Sequence, residues 1–161
     1  MDAELRPVAF VHSSRAEPSD DGWDAETVWI ELAEWLPDEA LEGREGFSHI
    51  EVLYRFHKAD KVALGLRRPR GNPAWPEVGI FAQRGKDRPN HLGVSACRLL
   101  AREGRRLRVA GLDAIDGSPV LDIKPVFRVF LPRGELREPA WVGELTESYW
   151  RPSSAEEEKH E

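Results

Sequence analysis

Alternation of apolar and polar residues is the main pattern along this chain. It is clearest at residues 47–57, where every second side chain from position 50 is apolar. These apolar residues are Ile50, Val52, Tyr54 and Phe56. Side chains two residues apart point to the same face of a β-strand, so the pattern predicts a strand with one buried and one exposed face.

Shorter segments of similar character predict further strands at residues 7–12, 27–32, 79–82, 107–112, 120–123 and 126–130. Residues 92–102 fit either a helix or a strand. Because a turn-like sequence at 103–106 connects them to 107–112, we interpret the pair as a hairpin. Short helices are expected at 37–41 and 142–150. Many short strands, with 12 Pro and 13 Gly, favour a mainly β, barrel-like domain with one or two short helices.

The length of 161 residues corresponds to one domain, which we assign to residues 1–150. Residues 151–161 are expected to be a disordered acidic tail. With Cys97 as the single cysteine, no intrachain disulfide can form, and one Cys with five scattered His gives no metal-binding pattern. No long apolar run is present, so we expect a cytoplasmic protein without a membrane segment.

Charge is distributed unevenly along the chain, whose net charge is -6. Residues 17–51 contain twelve acidic residues and one basic residue, whereas residues 55–108 contain fourteen basic and four acidic residues. A basic region of this kind predicts a polyanionic partner, RNA first among them. The alternative is that the two regions neutralise each other across the fold or across a dimer interface, and charge alone leaves both open.

Two polar loops contain most of the candidate chemistry. Residues 83–91 are dense in Arg, Lys, Asp, Asn, Gly and Pro, and residues 112–125 contain three Asp and one Lys beside a Gly and two Pro. Loops of this composition on a rigid scaffold often hold functional groups. Taken alone, residues 113–117 favour an ordinary turn between two strands, because Asp and Gly are common turn residues.

Several separated motifs occur here in the order that is found in one protein family. They are Gly-Ile-Phe-Ala-Gln-Arg at 79–84, Arg-Pro-Asn at 88–90, Gly-Val-Ser at 93–95 and Gly-Leu-Asp-Ala-Ile-Asp-Gly-Ser-Pro-Val-Leu-Asp-Ile-Lys-Pro at 111–125. Upstream, residues 41–50 and Phe56-His57 fit the same pattern. On these residues the chain resembles the TsaA (YaeB-like) family between about positions 7 and 125.

The resemblance implies a small, dimeric β-barrel that binds S-adenosylmethionine without a Rossmann fold. It also implies methyl transfer to N6 of threonylcarbamoyl-adenosine beside the tRNA anticodon. The cofactor contacts that it implies are His57, Lys58, Arg84, Val94, Asp113, Ala114, Ile115 and Asp116. Carboxylates such as Asp113 and Asp116 can hold a ribose diol or the cofactor's cationic groups, and Arg84 can bind its carboxylate.

Four residues are candidates for contact with RNA. Arg88 and Asn90 display groups that bind phosphates and base edges, and Arg67 with Arg68 forms a candidate clamp for the RNA backbone. The alternatives are a loop in which Asn90 bonds its own backbone and a solvated basic loop.

Methyl transfer to a nitrogen also requires that a proton leaves it. Asp122 and His57 are candidate bases, and Lys124 is a candidate for the substrate's carbamoyl oxygen or carboxylate. Two alternating charges are also common on an exposed strand, so we predict Asp122 and Lys124 as catalytic residues without excluding that alternative.

The chain departs from the family pattern at a few positions. Ser19 and Asp20 follow Pro18 where the family commonly has Arg-Gln, and His91 follows Asn90 where a proline is usual. Two other functions therefore stay open: a binding module or sensor without methyl transfer, and a methyltransferase with another substrate. Six Trp residues and the family pattern lead us to expect a homodimer.

Overall fold

The computed structural model describes residues 4–24 and 27–151. Its regular elements are six strands and one α-helix, with several short 3-10 turns between them. They are β1 Ala9–His12, β2 Thr27–Leu32, β3 His49–Arg55, β4 Leu92–Glu103, β5 Arg106–Ala110, β6 Pro119–Pro125 and α1 Ala140–Leu145.

The six strands form a closed antiparallel barrel in the order β1-β2-β5-β4-β3-β6. β6 returns to β1, where Ala9 lies opposite Val120, and this pairing closes the barrel. Closure leaves no strand edge free to pair with another chain. The prediction of a mainly β, barrel-like domain is confirmed.

The barrel interior is filled by the apolar face of each strand. On β3 the fully buried residues are Ile50, Val52 and Tyr54, at every second position as the sequence predicts. Val11, Val109 and Cys97 meet them from other strands. Burying a large apolar side chain contributes about 1.5–3 kcal/mol, so this interior accounts for much of the stability.

Four local predictions differ from the structure or are resolved by it. Residues 92–102 form a strand, β4, whereas 126–130 are not a strand and end in a 3-10 turn at Arg128–Phe130. The strand ends at Pro125, and the next backbone N–H, that of Val126, still donates to the His49 carbonyl at 3.0 Å. Residues 79–82 also contain a 3-10 turn, Ile80–Ala82, rather than a strand. The last helix begins at Ala140, after Pro139, and ends at Leu145, earlier than expected. The predicted acidic tail lies outside the described residues from position 152 onward.

The connectivity separates the two ends of the barrel. The loops after β1, β3 and β5, at residues 13–24, 56–91 and 111–118, all emerge at one end, which we call the loop end. The other end, which we call the far end, carries the connection from β2 to β3, the tight β4–β5 turn and the residues after β6. The loop end is therefore built from the segments that contain most predicted site residues.

Candidate functional site

The loop end brings the predicted cofactor residues together. His57 and Lys58 follow β3, Arg84 lies in the loop before β4, and residues 113–116 lie in the loop between β5 and β6. Val94 is on β4, near the end of that strand which enters from the loop end. Residues 103 positions apart along the chain thus meet, as the contact between Ser13 and Asp116 shows.

Asp113 is held by three hydroxyl groups. The Tyr54 hydroxyl donates to Asp113 Oδ1 at 2.9 Å, and the Ser95 hydroxyl donates to the same oxygen. The Tyr149 hydroxyl donates to Asp113 Oδ2. Because both carboxylate oxygens already accept hydrogen bonds from protein groups, Asp113 ties its loop to the barrel wall and to Tyr149.

Gly93 makes this arrangement possible. A Cβ atom at position 93 would lie 2.5 Å from Tyr54 Cζ, closer than atoms approach in folded proteins. The glycine of the Gly-Val-Ser motif therefore makes room for the Tyr54 ring, and its serine donates to Asp113 directly. Gly93 and Ser95, both in the Gly-Val-Ser motif, thus support the contacts of Asp113, which belongs to the motif at 111–125.

Both tyrosines around Asp113 remain protonated donors. Burial, followed by the negative charge of Asp113, raises the pKa of Tyr54 and that of Tyr149 far above the ordinary value. The charge of Arg84 opposes the rise at Tyr149, which places that guanidinium near the same network.

Asp116 differs from Asp113 because its side chain is exposed. Its Oδ1 accepts one hydrogen bond, from the Ser13 backbone N–H at 3.0 Å. The backbone N–H of Asp116 in turn donates to the Arg15 carbonyl at 2.7 Å, which ties two loops of the loop end together. Asp116 is therefore the carboxylate in this loop that is available to a ligand. Between the two aspartates, Ala114 and Ile115 are buried, so neither offers an accessible apolar wall, and the Ile115 carbonyl accepts a hydrogen bond from the Ser118 backbone N–H at 3.2 Å.

His57 lies beside Asp116, with Nδ1 3.4 Å from the Ser118 hydroxyl oxygen. His57 is exposed, but partial desolvation of its ring lowers its pKa, the charge of neighbouring Lys58 lowers it further, and Asp116 opposes both. The imidazole is therefore neutral at pH 7 and able to accept a proton. Lys58 itself donates to the Ala16 carbonyl at 2.8 Å and to Glu17 Oε1 at 2.7 Å, which holds the loop after β1 against the end of β3.

Arg84 and Val94 form the part of the site that lies against β4. Arg84 Nη2 donates to the Val94 carbonyl at 2.8 Å, and the rest of this exposed guanidinium faces outward. The Val94 side chain is 42% exposed on the outer face of the barrel. Together they present a cation beside a small apolar surface.

Asp122 and Lys124 lie on the outer face of β6, away from the loops. Lys124 Nζ and Asp122 Oδ2 are 2.5 Å apart, and this hydrogen bond is the main reason that the pKa of Lys124 is raised. In the pairing of the strands, Leu53 of β3 lies opposite Val94 of β4 on one side and opposite Asp122 of β6 on the other. Since neighbouring strands are about 4.8 Å apart, Asp122 is about 10 Å from Val94 on a shared outer face.

The predicted RNA-contacting residues make bonds that shape their own loop. Arg67 pairs with Asp87 at 3.1 Å, and Arg68 donates to the Trp75 carbonyl at 2.5 Å. Arg88 donates to the Gln83 carbonyl at 2.8 Å. Asn90 adopts φ 65°, a left-handed conformation that Asn tolerates better than most residues.

The acidic and basic regions of the chain do contact each other. Five basic residues of the 55–108 region pair with acids of the 17–51 region: Lys58 with Glu17, Arg70 with Asp21, Arg98 with Asp24, Arg102 with Glu42 and Arg105 with Asp38. Neutralisation across the fold therefore accounts for part of the basic region. Six other basic residues form no ion pair within the described residues: Arg55, Lys61, Arg68, Arg84, Arg88 and Arg108.

A groove of about 290 Å³ opens at the far end, between Glu51, Lys124 and the segment that follows β6. Phe127 stacks between Phe47 and Phe130, with ring centroids 5.6 and 6.0 Å apart. Phe130 is nonetheless 80% exposed. The groove thus belongs to an apolar surface that contains no predicted cofactor residue.

Sequence analysis missed Tyr54, Ser95 and Tyr149 as members of the site. The first two had a signal, because Ser95 belongs to a recognised motif and Tyr54 lies on the inward face of β3, opposite Gly93. Tyr149 had none: it lies 36 residues from Asp113, in a segment predicted to be helical.

Among residues 4–24 and 27–151, no helix is long and apolar enough to cross a membrane. The same residues contain no group of three or more His, Cys, Asp or Glu side chains that could hold a metal ion.

A closed six-stranded barrel with polar loops gathered at one end defines a class of β-barrel ligand-binding domains that is distinct from the Rossmann fold. Within this class, the family described as the tRNA-methyltransferase O N-terminal domain matches residues 11–130, and the chain belongs to it. This family assignment confirms the resemblance seen in the sequence.

Individual relatives agree with the assignment. A probable S-adenosyl-L-methionine-binding protein of Pyrococcus abyssi is 38% identical over 144 residues, covering 87% of this chain and 74% of that protein. A tRNA (adenine(37)-N6)-methyltransferase of Mus musculus is 41% identical over 91 residues, covering 55% of this chain and 21% of the mouse protein. The crystal structure of TrmO from Pseudomonas aeruginosa superposes with a TM-score of 0.69 at 31% identity, covering 87% of this chain and 63% of that one. The chain thus spans only part of the methyltransferases that it resembles.

Proposed function

We propose that this chain is an S-adenosylmethionine-dependent methyltransferase that modifies N6 of an adenosine beside the tRNA anticodon, specifically threonylcarbamoyl-adenosine. One observation carries the proposal: a chain of the tRNA-methyltransferase O family gathers Arg84, His57 and residues 113–116 at one end of its barrel. The relatives named above for S-adenosyl-L-methionine binding and for tRNA adenine-N6 methylation support the same reaction.

The residues at the loop end fit the parts of this cofactor. Arg84 offers an exposed guanidinium for the carboxylate, and Asp116 offers an exposed carboxylate for the ribose hydroxyls or the amino group. Val94 provides an exposed apolar contact for the adenine, while the buried residues 114–115 connect Asp113 to Asp116. His57 and Lys58 border the same space. Asp113 attaches the loop at 111–118 to the barrel wall through Tyr54 and Ser95.

When bound, S-adenosylmethionine would supply an electrophilic methyl group for N6. The chain's own contribution is to align the two partners and to remove the N6 proton. Neutral His57 can accept that proton at the loop end. Asp122 and Lys124 can contact a substrate that lies over Leu53, with Lys124 meeting the negative charge of the threonylcarbamoyl group.

For tRNA, we propose contact through the basic residues that form no ion pair within residues 4–24 and 27–151. Arg84, Arg88 and Lys61 are in the long loop at the loop end, and Arg68 lies in the same loop. The Arg67 side chain forms an ion pair with Asp87, and its backbone pairs with that of Val78. Both contacts shape this loop. The position of Asn90 beside Arg88 is compatible with contact to a base. This substrate also implies a cytoplasmic protein.

We further propose that the chain forms a homodimer through the apolar surface of the far end. Phe127, Val129, Phe130 and Leu131 are 44–80% exposed there, around the 290 Å³ groove. An exposed patch of this kind is typical of protein interfaces. A second copy would cover it without blocking the loop end.

The test is transfer of radiolabelled methyl groups from S-adenosylmethionine to tRNA, followed by mass spectrometry of the nucleosides. We expect the label on threonylcarbamoyl-adenosine and none on tRNA that lacks the threonylcarbamoyl group. Cofactor binding without transfer to any RNA would instead indicate a binding module. Label on another nucleoside or molecule would indicate a different substrate.

A further inference from the structure

The C-terminal residues 140–150, which we call the strap, return to the loop end after the far-end segment. At the start of the strap, Glu144 Oε2 accepts a hydrogen bond from Trp75 Nε1 at 2.6 Å, and Trp141 packs against the Trp75 ring at 6.4 Å. Trp75 belongs to the long basic loop between β3 and β4. The strap is therefore attached to the loop that we propose for RNA contact.

The strap then pairs with the loop after β1. The Trp23 backbone N–H donates to the Tyr149 carbonyl at 2.9 Å, and the Gly22 N–H donates to the Ser148 carbonyl at 3.3 Å. These bonds fix the backbone on both sides of the Tyr149 side chain. Tyr149 is thus held in one orientation by the backbone before its hydroxyl makes any contact.

The Tyr149 hydroxyl completes the set of donors around Asp113. Tyr54 and Ser95 bond Oδ1 from the barrel wall, whereas the donor to Oδ2 comes from the strap. Among the described residues, Tyr149 is the hydroxyl donor to Asp113 that lies outside the barrel. Without it, one oxygen of a partly buried carboxylate would lose its protein partner, and the loop at 111–118 would gain freedom to move.

We propose that Tyr149 is a positioning residue for the cofactor: by anchoring Asp113, the strap holds residues 114–116 in the geometry that binds S-adenosylmethionine. This inference rests on the proposed function and adds to it a residue and a segment outside the matched 11–130 region. Holding a binding loop in its bound shape lowers the entropy that binding must remove, so its effect falls on affinity. Since the strap acts through Asp113, its loss should leave the chemical step unchanged.

The experiment compares Tyr149→Phe with wild type in calorimetric titrations of S-adenosylmethionine and in methyl transfer to tRNA. This change removes one oxygen and keeps the ring that packs edge-on against Trp150. We expect cofactor affinity to fall about tenfold, matching the roughly 1.4 kcal/mol of one hydrogen bond to a charged group. KM for the cofactor should rise by the same factor, while kcat at saturating cofactor stays within about twofold of wild type.

Thr146→Val is the matched control, because it also removes one hydroxyl from the strap. The Thr146 hydroxyl bonds the Val142 carbonyl within the strap and not Asp113. We expect its cofactor affinity to equal that of wild type. A double mutant of Tyr149→Phe with Asp113→Asn should lose less affinity than the two single losses combined, since both changes break one contact.

Hydrogen exchange of the wild-type protein gives a second test that needs no variant. Addition of S-adenosylmethionine should slow exchange in residues 146–150 as well as in residues 111–118. Unchanged affinity in a folded Tyr149→Phe protein, or cofactor protection that omits 146–150, would overturn the role of the strap while leaving the proposed function intact. Failure of wild type to bind the cofactor would instead overturn the proposed function and, with it, this inference.

Discussion

The loop end and the far end of this barrel share the same six strands but present opposite chemistry. At the loop end, three segments that are distant in sequence meet through hydrogen bonds to Asp113 and Asp116. At the far end, three phenylalanines stack beside a groove, and Phe130 remains 80% exposed. A closed barrel has no free edges, so its two ends are where function can be added.

Within the loop end, two aspartates have different surroundings. Asp113 and Asp116 are three positions apart, yet the first is enclosed by three hydroxyl groups and the second is exposed. A carboxylate whose oxygens are already bonded positions a loop, whereas an exposed carboxylate can bind a ligand. The loop end therefore contains both the proposed ligand contacts and the residues that hold them in place.

Loss of Arg84 should have the largest effect on the loop end. Arg84→Ala removes the exposed guanidinium proposed to bind the cofactor's carboxylate, and a hydrogen bond to a charged group contributes about 1.5–3 kcal/mol. We expect S-adenosylmethionine affinity to fall about 10- to 100-fold by calorimetry, with the melting temperature nearly unchanged. Arg108→Ala, an exposed arginine on the outer face of β5, is the control and should bind normally. Equal binding in both variants would remove Arg84 from the site.

At the far end, Phe130→Ser should weaken the proposed homodimer. A central aromatic residue of an interface typically contributes at least about 2 kcal/mol, so sedimentation should show a dimer dissociation constant raised at least about tenfold. Phe81→Ser is a close control, because Phe81 is 81% exposed at the loop end. Cofactor affinity should not change in Phe130→Ser. A monomeric wild-type protein at micromolar concentration would contradict the proposed dimer.

Gly93→Ala should destabilise the fold through Tyr54. The added Cβ would lie 2.5 Å from Tyr54 Cζ, and the ring cannot move away without breaking its bond to Asp113. Overpacking of this kind costs about 1–3 kcal/mol, measurable as a lower midpoint in urea unfolding. Gly46→Ala should leave the midpoint close to wild type, because no atom lies within 4 Å of the Cβ that it would add. Stability unchanged by Gly93→Ala would mean that Tyr54 is not fixed as described.

Much of the barrel fold and of the loop-end site could be predicted from sequence, because the alternation along 47–57 and the ordered motifs are local features of the chain. The loop-end cluster followed from the family motifs. The contact of Tyr149 with Asp113 could not, since nothing near Tyr149 in sequence indicates where the strap returns. Composition also could not show which basic residues form ion pairs within the described residues. Arg68 and Arg70 are two positions apart, yet of these two only Arg70 pairs with an acid, Asp21.

The salt dependence of tRNA binding tests that distinction directly. Arg88→Ala should lower the slope of log affinity against log salt by about 0.7–0.9 if Arg88 meets one phosphate. Arg102→Ala removes an arginine that is paired with Glu42 at 2.7 Å, so it should leave the slope unchanged. Filter binding at several salt concentrations measures both. Salt-independent binding of the wild type would contradict the proposed RNA surface.

The smallest expected effect is the pH dependence of stability at His57. Its pKa is lowered in the folded protein, mainly by burial, so the unfolded chain binds this proton more readily. The free energy of unfolding should therefore fall as pH drops through the unfolded value of about 6.5. His57→Gln should reduce that fall in urea unfolding measured between about pH 8 and about pH 5. An identical pH profile in the variant would show that the pKa of His57 is not lowered in the folded protein.

Cofactor binding at the loop end is tested most directly by a crystal structure of this chain with S-adenosylhomocysteine. We expect the ligand at the loop end, with its carboxylate at Arg84, its ribose or amino group at Asp116, and Asp113 still bonded by Tyr54, Ser95 and Tyr149. A ligand in the far-end groove beside Phe127 and Lys124, or one that displaces Tyr149 to bind Asp113 itself, would contradict the proposed site.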